Sequence, residues 1–110
     1  MPFAVEITDT AAIDIRDIKL FVEAITGVGS ADRRLESIAY TINQLATLPF
    51  GGTVLPELEA LGITNIRRKP STSDHVVYRL DDQLKKLAVI IVYPHRKDFK
   101  SILTKRILRI

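Results

Sequence analysis

The seven residues Leu87 to Tyr93 (LAVIIVY) are apolar on both alternating sides, with Leu87, Val89, Ile91 and Tyr93 on one and Ala88, Ile90 and Val92 on the other. A run this short and this rich in β-branched residues predicts a central strand covered on both faces. Val76 to Leu80 is a second apolar stretch, and Asp81-Asp82-Gln83 supplies turn residues between the two. The pair is therefore expected to form an antiparallel hairpin. Pro94 stops the ladder, and His95-Arg96-Lys97-Asp98 sets four polar or charged side chains at the strand's exit. Such an exit suits either a solvated turn or a site held on a rigid strand.

Upstream the rhythm changes. Phe3, Val5 and Ile7 alternate with Ala4, Glu6 and Thr8, predicting a half-buried first strand. Asp9 or Thr10 can cap a helix to about Thr26, whose inner stripe is Ala11, Ile15, Ile18, Phe21, Val22 and Ile25. Gly27 and Gly29 end it, and Ser30 is placed to cap a second helix with the stripe Leu35, Ile38, Ala39, Ile42 and Leu45. Pro49 and Gly51-Gly52 close that helix, and the two helices should form an antiparallel hairpin. Pro56 to Leu61 suits one or two helical turns, Ile63 to Arg68 a short strand, and Pro70 to Asp74 a polar loop. Helical spacing returns through Phe99, Ile102, Leu103 and Ile107, with Lys100, Lys105, Arg106 and Arg109 making the last segment basic.

The expected fold is thus a single α+β domain over residues 1–110. An N-terminal strand and helical hairpin pack on an antiparallel sheet of about four strands, followed by a C-terminal helix or tail. The length allows one real core and not two. No apolar run reaches the roughly 20 residues that span a bilayer, so no membrane partner is expected and the protein is expected in the cytoplasm. Without cysteine there is no disulfide frame or thiolate metal site, and two histidines make a poor zinc set; no metal or other cofactor is expected.

Charge adds a direction. Residues 1 to 64 hold four Lys/Arg against nine Asp/Glu, and residues 65 to 110 hold twelve against four, a local excess of eight positive charges. That asymmetry fits an anionic partner, nucleic acid or an acidic protein segment, as well as a solubilising surface. Gly51-Gly52 lacks the Lys and Ser/Thr of a phosphate loop, Asp81-Asp82 reads as a solvated turn, and no nucleophilic triad is present.

Several pieces together resemble the RelE/ParE superfamily of bacterial type II toxins. They are the helical hairpin ending in Leu48-Pro49, with Gly51-Gly52 and Glu57-Leu58 downstream; Ile66-Arg67-Arg68; the hairpin with Val77-Tyr78-Arg79; the strand ending at His95-Arg96-Lys97-Asp98; and the closing Leu103-Thr104-Lys105-Arg106-Ile107-Leu108. The resemblance covers nearly the whole chain. It implies a toxin neutralised by a cognate antitoxin with an acidic, partly disordered segment. RelE-like members cut mRNA in the ribosomal decoding site, ParE-like members poison DNA gyrase, and a member can also persist as a non-toxic binding module.

Metal-independent RNA cleavage needs a base for the 2′-hydroxyl, cations for the charge building on the phosphate, and an acid for the leaving 5′-oxygen. The resemblance sets His75 where RelE-like toxins carry a sheet arginine and matches Arg96 to the arginine ending the last strand. Phe99 falls where a tyrosine is expected; phenylalanine can stack on a base but donates no proton. The expected catalytic groups are His75, His95 and Arg96. Arg67, Arg68, Lys69, Lys97 and Lys100 are the expected nucleic-acid-binding cations. Tyr78 and Tyr93 read as packing residues of the strands, and Tyr40 as a surface or partner-facing aromatic.

Overall fold

The computed structural model describes residues 2–106 of the chain. In chain order they form β1 (Ala4–Ile7), α1 (Asp9–Thr26), α2 (Val28–Thr47), β2 (Thr53–Val54), α3 (Pro56–Glu59), β3 (Ile66–Pro70), β4 (Asp74–Asp81), β5 (Lys86–Pro94) and α4 (Phe99–Arg106). The sheet has five strands in the order β1-β5-β4-β3-β2 and is mixed, where about four antiparallel strands were expected. β1 lies parallel to β5, and every other pair is antiparallel. The cause is the number of reversals. The three antiparallel steps from β2 through β3 and β4 to β5 reverse the chain an odd number of times, so β5 runs with β1 because β2 is itself laid opposite to β1. Of the closing basic segment, Ile107, Leu108 and Arg109 lie outside the described residues.

The helical hairpin forms as its stripes predict, with two corrections. Thr8, not Asp9 or Thr10, caps α1: its hydroxyl accepts from Ala11 N at 3.3 Å and donates to Val89 O at 2.9 Å, tying the cap to the central strand. α2 starts at Val28 rather than after Ser30, because Gly27 alone makes the reversal at φ 96°, a conformation costly for any residue with a Cβ. Ala11, Ile18, Val22, Ala31, Ile38, Ile42 and Leu45 are buried, whereas Phe21 and Ile25 of the first expected stripe and Ala39 of the second are exposed.

β5 does not keep the alternation its sequence suggests. Val77 of β4 stands opposite Ile91 while Tyr78 stands opposite Val89, so Ile90 is a bulge without a partner. Beyond it the faces exchange. Leu87, Val89 and Val92 face the helical hairpin, with Val76, Tyr78 and Leu80 of β4. Ile91 and Tyr93 face the opposite side, in a second core with Leu55, Leu58, Ile66, Val77, Phe99 and Leu103. Each such side chain contributes about 1.5–3 kcal/mol on full burial, so the two cores together hold the sheet from both sides.

Where β1 ends, polar side chains replace it at the edge of β5. Val92 N donates to Asp14 Oδ2 at 3.0 Å, and Arg106 Nη2 donates to Ile90 O at 2.7 Å. Arg106 also pairs with Asp14 at 2.9 Å, which pins α4 to α1 and occupies backbone groups that an open edge would leave unpaired.

The loop before β2 is held by a buried tyrosine. Tyr78 Oη donates to Pro49 O at 2.8 Å and accepts from Gly52 N at 2.9 Å. A Cβ on Gly52 would fall 2.7 Å from Tyr78 Oη and 2.9 Å from Arg68 O. Gly52→Ala is therefore expected to lower stability by about 1–3 kcal/mol, the usual range for overpacking. A urea midpoint equal to that of the parent would show that the loop yields freely.

Candidate functional site

Three strands deliver side chains to one end of the sheet, on the face away from the helical hairpin. His75 of β4 pairs in register with Tyr93 of β5, and Arg68 of β3 stands opposite Val77, two residues along β4. Since side chains on one strand alternate, His75, Val77, Arg68 and Tyr93 share that face. The register places the His75 and Tyr93 rings 5.1 Å apart. Arg68 Nη1 donates to Tyr93 Oη at 3.0 Å, and its guanidinium lies 5.7 Å from the Phe99 ring. Phe99, opening α4, stacks on Tyr93 at 5.4 Å. His95, in the turn after β5, completes the group with its ring 4.2 Å from that of His75. Its backbone N–H donates to Ser73 O at 3.0 Å, holding the turn against the start of β4.

The start of β4 is itself anchored. Asp74 is buried and receives two bonds from Arg34 of α2, Nε to Oδ2 at 2.8 Å and Nη2 to Oδ1 at 2.6 Å. This bidentate contact holds the Arg34 guanidinium above its ordinary range, against the opposing effect of its own burial.

Electrostatics give the site a direction. Burial lowers the His75 imidazole from its ordinary 6.5 to about 4, with the His95 and Arg68 charges adding to the shift and Asp74 opposing it. His75 is thus neutral at pH 7. Its Nδ1 is buried without a hydrogen-bond partner among the described residues. Burial raises the Tyr93 phenol, against the hydrogen bond and charge of Arg68, so it keeps its proton at neutral pH.

The structure thus brings together His75, His95 and Arg68 of the expected residues, and adds Tyr93. It separates the rest. Arg67 and Lys69 alternate to the opposite face from Arg68, toward the loop that precedes β2. Arg96 is drawn to α1, its guanidinium 4.6 Å over the Phe21 ring. Lys97 and Lys100 are exposed on either side of Phe99. Tyr93 read as a packing residue and is one, buried in the second core, while its hydroxyl also accepts the bond that ties Arg68 to this group. A cleft of about 680 Å³ at the far end of the sheet, lined in part by Glu6, Asn65, Arg79, Asp82 and Lys86, contains none of the expected site residues.

Among the described residues no cluster of three or more His, Cys, Asp or Glu is arranged to hold a metal, and no helix is long and apolar enough to cross a membrane.

No protein-family profile and no curated protein matches the chain in sequence. Solved structures do match in shape. A chain of the chromosomal ParDE toxin-antitoxin system from P. aeruginosa superposes with a TM-score of 0.68 at 15% identity, over 84% of this chain and 95% of its own. A chain of the RelBE2 toxin-antitoxin complex from Mycobacterium tuberculosis gives 0.65 at 19% identity, over 88% and 95%. A mutant of the E. coli toxin RelE in the free state gives 0.64 at 15% identity, over 100% and 99%. Identities this low establish shared architecture alone: the described residues have the fold of these solved toxin-antitoxin chains.

Proposed function

We propose that this chain is the toxin of a type II toxin-antitoxin pair and arrests growth by cleaving mRNA on the ribosome. The observation that carries this reading is the grouping of His75 with His95 and Arg68 at one end of the sheet, on the face away from the helical hairpin. His75 takes the proton of the 2′-hydroxyl, whose oxygen attacks the adjacent phosphorus. Arg68 stabilises the charge that builds on the phosphate, and the 5′-oxygen leaves with a proton from His95. The products are a 2′,3′-cyclic phosphate and a 5′-hydroxyl. With ring centroids 4.2 Å apart the two imidazoles touch, so the phosphate docks beside the pair, toward Arg68, and not between them. A base with a pKa of about 4 is weak at pH 7. Burial is the largest cause of the shift, and a bound phosphate acts on the smaller ones, offsetting the charges of His95 and Arg68 and so raising the value.

Arg96, Lys97 and Lys100, at the rim, guide the RNA backbone. The partner is an antitoxin whose acidic segment lies over the same cations and is ordered on binding. Action on ribosomes would place the chain in the cytoplasm.

A second reading, poisoning of DNA gyrase, is favoured by one feature: Phe99 offers no hydroxyl where RelE-like cleavage expects a tyrosine. Brief expression without antitoxin separates the two. Truncated transcripts over intact DNA support cleavage, whereas altered supercoiling with DNA breaks supports gyrase. Unimpaired growth with folded protein present would leave a non-toxic antitoxin-binding protein.

The His75 shift also makes a stability prediction. In the unfolded chain the imidazole binds its proton near pH 6.5 and in the folded chain only near pH 4. Between these values the unfolded state carries more protons, so stability falls as pH is lowered from about 6.5 to about 4. His75→Gln should flatten that slope. An unchanged pH dependence of the urea midpoint would show that His75 is not held neutral.

A further inference from the structure

The alternation that sends Arg68 to the His75 face leaves Arg67 and Lys69 on the other side of β3, where they meet the loop Leu48–Gly52. Phe50, at the crown of that loop, is 52% exposed. Its backbone is nevertheless tied down. Arg67 Nη1 donates to Phe50 O at 3.3 Å and to Gly52 O at 2.9 Å, and Gly51 N donates to Leu48 O at 3.0 Å. Tyr78 fixes Pro49 and Gly52 on either side. The ring is steadied by Phe3, edge-on at 6.3 Å, and by the Arg67 guanidinium at 5.3 Å, while half of the residue stays open to solvent. Gly51 has no side chain to shield the place, and a Cβ there would be 3.8 Å from Lys69 Nζ, so the ammonium lies directly alongside. Neither Arg67 nor Lys69 forms a salt bridge with a carboxylate among the described residues.

We propose that Phe50, Arg67 and Lys69 form a second binding site for single-stranded nucleic acid, distinct from the His75 cluster, in which a base stacks on the Phe50 ring and Lys69 and Arg67 hold the flanking phosphates. A pre-positioned open aromatic beside cations without carboxylate partners is what single-strand binding requires, because every base offers a π-face and every nucleotide a charge. Acidic side chains would satisfy the cations but offer no planar group to the ring, whereas every nucleotide carries both. The proposal rests on RNA as the target. It assigns to this side of β3 the strand that continues past the cleavage cluster, so the basic triplet Arg67-Arg68-Lys69 works as two sites and not one.

The test uses the full chain and a fluorescent single-stranded 2′-O-methyl oligoribonucleotide, which binds without being cut, with affinity read by anisotropy over a salt series. Phe50→Ala should bind about 10- to 100-fold more weakly with little change in salt slope, as expected for lost stacking. Phe50→Tyr should restore affinity. Lys69→Gln should reduce the salt slope by about one phosphate contact. Thermal unfolding of each variant checks that it is folded. Equal affinity of folded Phe50→Ala and parent overturns the proposal, as does a parent that binds poly-glutamate but not the oligonucleotide. Cleavage is scored separately. Oligonucleotide binding that depends on Phe50 in a protein that never cuts RNA would sustain this site and overturn the cleavage reading, while cleavage with Phe50-independent binding would do the reverse.

Discussion

Asp74→Ala should lower stability by about 3 kcal/mol, the low end of the cost of breaking a buried ion pair. Asp74 is 1% exposed and receives two charge-assisted hydrogen bonds, at 2.8 and 2.6 Å, from an Arg34 whose side chain is 23% exposed. Removing the carboxylate strands a largely covered guanidinium. Its remaining exposure lets water meet it in part, which keeps the expected cost at the low end. For a domain of this length the loss corresponds to a fall in Tm on the order of 10–20 °C. The double variant Arg34→Ala/Asp74→Ala should lose less than the sum of the single losses, because it leaves no unpaired charge. Thermal and urea unfolding of the three variants measure this. Additive losses would mean that the pair does not act as a unit. The pair also joins α2 to the residue just before His75, so partial loss of His75-dependent cleavage in a folded Asp74→Asn would follow from the same contact.

If the chain cuts RNA as proposed, Arg68→Ala should reduce cleavage by about 10²–10³-fold, the loss found when one preorganised donor to a developing oxyanion is removed. Arg68 is the expected cation that the sheet carries to the His75 face, and it is held there by Tyr93 Oη at 3.0 Å. Arg68→Lys should recover part of the rate, since a point charge replaces the fork but not its geometry. Arg96→Ala is the informative comparison. Its guanidinium rests on Phe21 and must leave that ring to reach a phosphate at His75. A loss equal to that of Arg68→Ala would show that it does so during the reaction. Cleavage products of a defined mRNA on programmed ribosomes, quantified by primer extension, provide the measurement. Full activity in folded Arg68→Ala would remove this face from the chemistry.

How far these sites were legible in the sequence depends on the range of the interaction that forms them. The helical hairpin and the β4–β5 hairpin follow from local periodicity and turn chemistry, and the structure forms both, with Asp81 closing β4 and the turn at Asp82–Lys85; β5 lies inside the sheet only as far as β1 pairs with it. His75, His95 and the cations could be named as candidates from residue type and resemblance. Their grouping could not. Arg67, Arg68 and Lys69 read as one basic cluster along the chain, although strand alternation alone sends the middle residue to the other face.

Some features had no local signal at all. Counting back from the hairpin turn with unbroken pairing would set His75 opposite Val92, as Asp81 pairs with Lys86 and Tyr78 with Val89. The bulge at Ile90 shifts the count by one and puts Tyr93 there instead, within 3.0 Å of Arg68. A one-residue slip moves every following side chain to the opposite face, and nothing in an all-apolar run marks where the slip occurs. The Arg34–Asp74 pair and the Asp14–Arg106 clamp join residues 40 and 92 positions apart. By itself the sequence determined the long elements, though not the short β2, along with the basic second half and the residue types available for chemistry. Tertiary structure alone decided which of those residues share a face, because that choice is made by the register of β5 and by contacts between distant parts of the chain, where free energy is gained only after the sheet has closed.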